Sequence, residues 1–232
     1  MQIIEYYNRL PSVELYCMSG LGKILSPHLN IVTEDLRSRK KGNTALFLGM
    51  GIPWRMGYRG ISNIGNDIGY FSERLPNGIN IIFSDKCFTE KRISQDDFKK
   101  FGELHNPEMQ KYQQIDVTDI SLKDNSIDVV IAIGLVSKQV IWGKTLVTSL
   151  IEITRVLKHG GTFYCEMKSD YVSEFKDLLE GPYTKHQFTT ALMTIRLEDK
   201  QPALFTDILE ISNIDHGGGR TLIKMTVKTE LD

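Results

Sequence analysis

The chain has 232 residues, of which 41% are hydrophobic and 25% are charged, and its net charge is −1 at pH 7. This size and balance suit one α/β domain with a substantial core, and they argue against a chain-wide basic surface for nucleic acid. The basic run RSRKK at residues 37–41 is interpreted as a solvated linker. The three cysteines are far apart and show no metal-ligand spacing, which predicts free thiols in a reducing compartment.

The N-terminal region predicts a helical cap at residues 1–41, built from amphipathic pieces at 3–9 and 29–39. Its first residues include early acids and no long apolar core, so we expect no signal peptide. No apolar run approaches the roughly 18 residues of a membrane helix. We therefore expect a soluble, cytoplasmic protein with no membrane partner, whose α/β domain occupies residues 42–232.

The first two predicted strands each end in residues suited to ligand binding. Residues 44–48 form a short apolar strand, and Gly49, Met50 and Gly51 follow it directly. Glycines at the carboxyl end of a strand permit a tight turn and close approach of backbone to a ligand. Residues 78–84 form the second strand and Asp85 stands at its tip, where doubly wound folds bind ribose hydroxyls.

The long segment between these strands, residues 54–66, contains three glycines and two arginines. Loops of this length are often functional or mobile. We interpret the segment as a lid that orders over a bound ligand.

Two further strands are predicted around the middle of the chain. Residues 111–115 precede an acid, Asp116, and residues 129–133 form a continuous apolar run that indicates a strand buried on both faces. Ligands of open parallel sheets lie outside the carboxyl ends of the strands. Asp128 stands at the opposite end of its strand, so we interpret it as a turn or cap residue and not as a catalytic acid.

The stretch 127–167 is a strand–helix–strand unit. Its helix has apolar residues spaced by four, three and four, it includes Lys158 in its last turn, and Gly160 and Gly161 are expected to end it. The next strand is predicted at 162–165.

A helix at 171–179 and a strand at 191–197 are expected to follow, and then an antiparallel hairpin from 203–212 and 221–229. His216 lies beside three glycines in the hairpin loop and has no partner at ligand spacing. No metal site is expected.

The central sequence DNSIDVVIAIGLV, followed by RVLKHGG, resembles the second half of class I S-adenosylmethionine-dependent methyltransferases. The resemblance implies a Rossmann-like fold: a doubly wound, mostly parallel, seven-stranded sheet with an antiparallel C-terminal hairpin. It also implies S-adenosylmethionine as cofactor and methyl transfer as activity. In this family the N-terminal helices often cap the cofactor and line the substrate pocket, whereas a helix packed only on the sheet is the simpler alternative.

The resemblance assigns roles at the strand ends. The glycine loop passes under the methionine and ribose parts of the cofactor, Asp85 binds the ribose, Asp116 accepts from the adenine amino group, and the N–H of Val117 meets the ring. The predicted cofactor-binding residues are Gly49, Met50, Gly51, Asp85, Lys86, Asp116, Val117, Ile133 and Gly134.

The chain departs from the family pattern at Phe47, where an acid usually holds the amino-acid end of the cofactor, at Pro53, where a third glycine is usual, and at His159, where the helix motif has Pro. The Asn/Asp-Pro-Pro-aromatic motif of nucleobase amino-methyltransferases is absent after the fourth strand, which disfavours that substrate class.

The residues Ser137, Lys138, Gln139 and Trp142, which follow the fourth strand, are expected on the substrate side. No catalytic base is assigned; by location the candidates are His186, Lys138 and Tyr183.

Three functions are compatible with this pattern. The first is a methyltransferase whose acceptor is a small molecule, a protein or RNA. The second is a non-catalytic methyltransferase-like scaffold or regulatory subunit, favoured by Phe47 and Pro53 and opposed by Asp85 and Asp116. The third, a nicotinamide-dependent oxidoreductase, is weak because GxGxxG is absent.

Overall fold

The structure is a computed structural model. It describes residues 26–49, 78–85, 110–132, 135–136, 138, 141–180, 205–215 and 219–229, and the structural statements below concern these residues. Their elements are, in chain order, α1 Ser26–Ser38, β1 Thr44–Phe47, β2 Asn80–Asp85, β3 Gln110–Gln114, β4 Ile127–Ala132, α2 Lys144–Val156, β5 Leu157–Lys168, α3 Val172–Glu180, α4 Phe205–Ile208, β6 Leu209–Asp215 and β7 Arg220–Val227.

The seven strands form one sheet in the order β3-β2-β1-β4-β5-β7-β6. Neighbours from β3 to β5 are parallel, and β7 runs antiparallel between β5 and β6. The predicted doubly wound sheet with an antiparallel C-terminal hairpin is thus confirmed. The chain moves outward from β1 to β3 and then returns to place β4 on the other side of β1. This reversal creates a crevice at the carboxyl ends of β1 and β4, the usual ligand position in such sheets.

The core lies on both faces of the sheet, because β4 is buried along its whole length. On one face α2 buries Leu146, Leu150 and Ile153, at the spacing that the sequence predicts. On the other face α1 buries Val32 and Leu36 against β1 and β2. Among the described residues, no helix is long and apolar enough to cross a membrane, and no group of three or more metal-ligating side chains converges.

The end of α2 differs from the prediction. The helix stops at Val156, Leu157 is already extended, and Lys158 lies in β5 and not in the last helical turn. From one pair of facing β4 and β5 residues to the next, β5 advances five residues while β4 advances two. The KHGG segment therefore bulges out of β5. A Cβ on Gly161 would lie 2.7 Å from the carbonyl oxygen of Lys158. The glycines therefore shape a bulge within β5 and do not end the helix.

Two further differences concern single segments. Residues 205–208, predicted as strand, are helical, because Phe205 and Ile208 are both buried and an i, i+3 spacing puts them on one helical face. Arg39, assigned by sequence to a solvated linker, donates to Asp35, to the hydroxyl of Thr162 and to the carbonyl of Asp128. The predicted elements at 3–9, 191–197 and in the lid 54–66 lie outside the described residues.

Candidate cofactor and acceptor site

The carboxyl end of β1 meets the segment after β4 at Gly49. The backbone N–H of Leu48 donates to the carbonyl of Ile131 at 2.8 Å, which extends the β1–β4 pairing to the edge of the sheet. Gly49 then takes a left-handed φ of +68°, and a Cβ there would lie 2.9 Å from a methyl carbon of Leu135. The positive φ therefore favours glycine, and a Cβ there would also have to displace the end of the Leu135 side chain. The turn brings bare backbone to the crevice.

Phe47, which replaces the acid of the resembled family, is fully buried on the α1 face of the sheet. Its ring packs against Phe83 of β2 with centroids 5.1 Å apart. Its carbonyl accepts a hydrogen bond of 2.8 Å from the hydroxyl of Ser84. The side chain therefore joins β1 to β2 by apolar packing and offers no polar group to a ligand.

The turn after β3 fixes the orientation of Asp116. One oxygen of its exposed carboxylate accepts from the backbone N–H of Thr118 at 2.9 Å and from the Thr118 hydroxyl at 2.7 Å. Asp116 also forms an isolated bridge with Asp119. Val117 between them is half-buried and packs on the core. The carboxylate is therefore held on a rigid turn at the carboxyl edge of the sheet.

This turn is anchored to α2 by two charged residues that the sequence analysis left without a role. Arg155 donates to the carbonyl of Leu122 at 2.9 Å and pairs with Asp124 at 2.6 Å. Glu152 accepts from the backbone N–H of Ile120 at 2.9 Å and also pairs with Arg155. The hydrogen bond to Glu152 is the main cause that raises the pKa of Arg155 above its already high ordinary value. The arginine of the RVLK motif thus holds the loop that carries Asp116.

A second group of polar and aromatic side chains lies after β4 and β5. We call it the Lys138 cluster: Lys138, Trp142, Tyr171 and Glu174. The ammonium of Lys138 pairs with one carboxylate oxygen of Glu174, and the indole N–H of Trp142 donates to the other at 2.9 Å. That ammonium also lies 5.8 Å from the ring centroid of Trp142 and 4.8 Å from that of Tyr171. The two hydrogen bonds, with Lys138 the larger cause, hold the pKa of Glu174 below its usual range.

The structure brings the ends of β2 and β3 together. Asp85 pairs in register with Gln114, only two residues before Asp116. The backbone thus places both predicted acids at the same edge. The side chain of Asp85 lies outside the described residues, as do the predicted site residues Met50, Gly51, Lys86, Ile133, Gly134, Ser137, Gln139, Tyr183 and His186.

Asp128 lies at the opposite, amino edge of the sheet. Its carboxylate accepts from the backbone N–H of Thr44 and from the ammonium of Lys158, each at 2.8 Å. The interpretation of Asp128 as a structural residue and not a catalytic acid agrees with these contacts.

Comparisons with known proteins agree with this architecture. Residues 64–165 match a family model described as a methyltransferase domain. A search of curated protein sequences gives no match. Similar solved structures include a S-adenosylmethionine-dependent methyltransferase from Aquifex aeolicus, at 13% identity and a TM-score of 0.51, with 94% of this chain and 100% of that chain covered. A Corynebacterium glutamicum protein has 13% identity, a TM-score of 0.50 and 99% coverage of both chains. The CurJ carbon methyltransferase has 16% identity and a TM-score of 0.50, with 94% of this chain and 57% of that chain covered.

The structural likeness, at these identities, defines the class of fold: a Rossmann-like methyltransferase sheet. The matched family model, over residues 64–165, agrees with the resemblance to S-adenosylmethionine-dependent methyltransferases that the sequence predicts. The predicted enzyme class and the predicted cofactor, S-adenosylmethionine, agree with this match.

Proposed function

We propose that the chain is an active methyltransferase whose cofactor lies over the carboxyl ends of β1, β2 and β3. The observation that carries the proposal is the turn at Gly49, where a positive φ favours glycine and brings backbone without a side chain to the crevice. Such a turn at the reversal point of the sheet leaves room for a ligand against the backbone. Methyl transfer to an acceptor fits this placement, and the acceptor class stays open.

The described residues fit S-adenosylmethionine. The cofactor has a ribose and an adenine, which require hydrogen-bond acceptors at two successive strand ends. Asp85 and Asp116 stand at those ends, and Thr118 orients the second carboxylate. We propose that Asp85 holds the ribose hydroxyls, that Asp116 accepts from the adenine amino group, and that the backbone at Gly49 supports the methionine part.

The chemistry asks little of the protein beyond alignment. S-adenosylmethionine supplies a methyl group already activated on a sulfonium. The work of this chain is to hold the acceptor in line with that methyl group and to keep water away from it. The segments after β4 and β5, which carry the Lys138 cluster, lie at the same edge and are the proposed acceptor side.

A non-catalytic scaffold is the second candidate, and one observation favours it. Phe47 fills, with an apolar ring buried against Phe83, the position where the resembled family has its cofactor-binding acid. In an active enzyme another group must then hold the amino-acid end of the cofactor. We propose Arg55 or Arg59 of the predicted lid, paired with the cofactor carboxylate. Replacing both by Ala should abolish methyl transfer and leave the thermal midpoint nearly unchanged; in a scaffold it should change neither cofactor binding nor any activity.

The direct test is transfer of a labelled methyl group from S-adenosylmethionine into an extract of the source organism, with the products separated by molecule class. We expect incorporation into one class, lost in Asp116→Ala and kept in Glu210→Ala. Glu210 is a matched control, since it is an exposed acid at the start of the edge strand β6. No incorporation by the wild-type protein, although it binds the cofactor, would favour the scaffold.

A further inference from the structure

The Lys138 cluster has the composition of an ammonium-binding site. Two aromatic rings, those of Trp142 and Tyr171, lie with centroids 5.8 Å apart at an interplanar angle of 60°. The carboxylate of Glu174 lies beside them and accepts from the Trp142 indole, which fixes the ring relative to the carboxylate. Aromatic faces with a carboxylate nearby are a recurrent means of binding alkylammonium groups.

The site already contains an ammonium, that of Lys138 from the segment after β4. This lysine is held weakly. Its contact to each ring is an exposed cation–π interaction, which is weak. Surface ion pairs are worth little as well, and ordering a long lysine side chain has an entropic cost. A ligand ammonium that brings its own methyl or methylene surface could therefore replace Lys138.

We propose that Trp142, Tyr171 and Glu174 bind a charged ammonium group of the methyl acceptor, in exchange with the ammonium of Lys138. This assigns the acceptor to the class of cationic amines and rests on the proposed function only for the step of methyl transfer. Lys138 acts as an internal stand-in that keeps the site formed between turnovers. Trp142 packs against the main core, so the rings stay in place when the lysine leaves.

The charge around the site favours one cation and no more. Glu174 is the carboxylate of the site, and the ammonium of Lys168 at the end of β5 lies 5.8 Å from the ring centroid of Tyr171. A ligand that displaces Lys138 restores the same local charge, whereas a second cation would meet the ammonium of Lys168. A monocationic group is the expected occupant.

An ammonium nitrogen has no lone pair and cannot attack a methyl group. The bound ammonium therefore serves as a handle, and the atom that receives the methyl group is a separate nucleophile of the acceptor, such as a hydroxyl, a neutral amine or a carbon nucleophile. With S-adenosylmethionine bound, that atom would form the new bond to the methyl carbon while the sulfonium–methyl bond breaks and its electron pair stays on sulfur; a hydroxyl or amine nucleophile would release its proton to water.

The site can be tested without turnover, because Trp142 reports on it. The chain has two tryptophans, so Trp54→Phe leaves Trp142 as the only indole. Tetramethylammonium chloride is titrated into this variant, with sodium chloride matching the ionic strength, while fluorescence and the ¹⁵N–H signal of the indole are followed. The control ligand is 3,3-dimethylbutanol, an uncharged alcohol with three methyl groups on a quaternary carbon.

We expect saturable binding of tetramethylammonium and weaker binding of the alcohol. Lys138→Met should bind the cation about fivefold more tightly, because the competing ammonium is gone. Lys176→Met makes the same charge change at an exposed position of α3 and should bind as the parent does. Glu174→Gln should weaken binding.

Three outcomes would overturn the proposal: no saturable change in Lys138→Met, equal affinity for the alcohol, or equal tightening in Lys176→Met. Thermal midpoints of all variants show that the fold is intact. Tetramethylammonium binding without any methyl transfer would refute the proposed function alone. Cofactor binding and transfer without tetramethylammonium binding would refute the ammonium site alone.

Discussion

Two lysine–carboxylate pairs stand at opposite edges of the same sheet, and they differ in the burial of the acid. At the amino edge Lys158 is 40% exposed and its partner Asp128 only 9%. At the carboxyl edge Lys138 is 41% exposed and its partner Glu174 is 49% exposed. The lysines are thus nearly equivalent. The difference lies in what the carboxylate would lose if its lysine left.

A buried carboxylate must keep every hydrogen bond, because water cannot replace a lost donor. Asp128 also accepts the backbone N–H of Thr44, so it ties β4 to both β1 and β5. Glu174 can exchange Lys138 for water or for a ligand at little cost. The comparison shows that an ion pair is structural when one of its members is buried, and that it is exchangeable when both members are exposed.

The largest expected effect is at the amino edge. Asp128→Ala removes the acceptor of the Thr44 N–H and of Lys158, and should lower the free energy of unfolding by about 2–3 kcal/mol. Urea denaturation measures it. Asp128→Asn keeps one acceptor and should lose less. If the free energy of unfolding of Asp128→Ala falls by less than about 0.5 kcal/mol, burial of the acid does not determine how strongly this ion pair stabilises the fold.

An intermediate effect is expected at Arg155, whose guanidinium is mostly buried although its partner Asp124 is exposed. Arg155→Ala frees the loop from Ile120 to Asp124 that follows Asp116, so affinity for S-adenosylmethionine should fall about tenfold, with a smaller loss of stability. Calorimetry measures the affinity. Arg155→Lys keeps the charge without the fork of donors and should rescue only part. Unchanged affinity for S-adenosylmethionine in Arg155→Ala would show that the contacts of Arg155 with this loop do not contribute to cofactor binding.

The smallest effect is expected at Glu174. Glu174→Gln removes an exposed charge and should leave the thermal midpoint within about one degree. Lys138 and Trp142 lower the pKa of Glu174. The contacts of its carboxylate are therefore complete at and above the usual glutamate pKa, and they are lost only when the pH falls through the lowered pKa. The indole signal of Trp142 should shift in that acidic interval and stay constant in Glu174→Gln. A shift centred above the usual glutamate pKa would contradict the assigned pairing.

A further prediction for the carboxyl edge concerns the predicted lid. If residues 54–66 order over the cofactor, limited proteolysis should cut this segment less in the presence of S-adenosylmethionine. The cleavage sites are identified by mass spectrometry. Equal cleavage with and without the cofactor would count against a lid.

Much of the fold could be predicted from the sequence, since the strands follow from short apolar runs and the hairpin from β-branched residues. The place of Asp85 at the end of a strand followed from one such run, whereas the strand before Asp116 is polar and is not marked by an apolar run. Contacts between distant positions could not be predicted. Lys158 lies in a strand and pairs with Asp128, which is 30 residues away in the sequence. Glu174 accepts from Trp142, which is 32 residues away. Periodicity describes one element at a time and carries no signal for such pairs.

The buried Phe47 marks a different limit. Its departure from the family pattern is visible in the sequence, but its packing against Phe83 is a tertiary contact between neighbouring strands. The sequence alone therefore identifies the missing acid and does not identify what the ring contributes to the core.

The central claim, a cofactor site at the carboxyl edge that depends on Asp116, is tested most directly by calorimetric titration of S-adenosylmethionine. The wild-type protein and Glu210→Ala should bind with equal affinity. Asp116→Ala should bind more weakly by about 1–3 kcal/mol, the usual cost of leaving a polar group without its partner. Equal affinity in all three proteins, or no binding by the wild type at millimolar cofactor, would contradict the account.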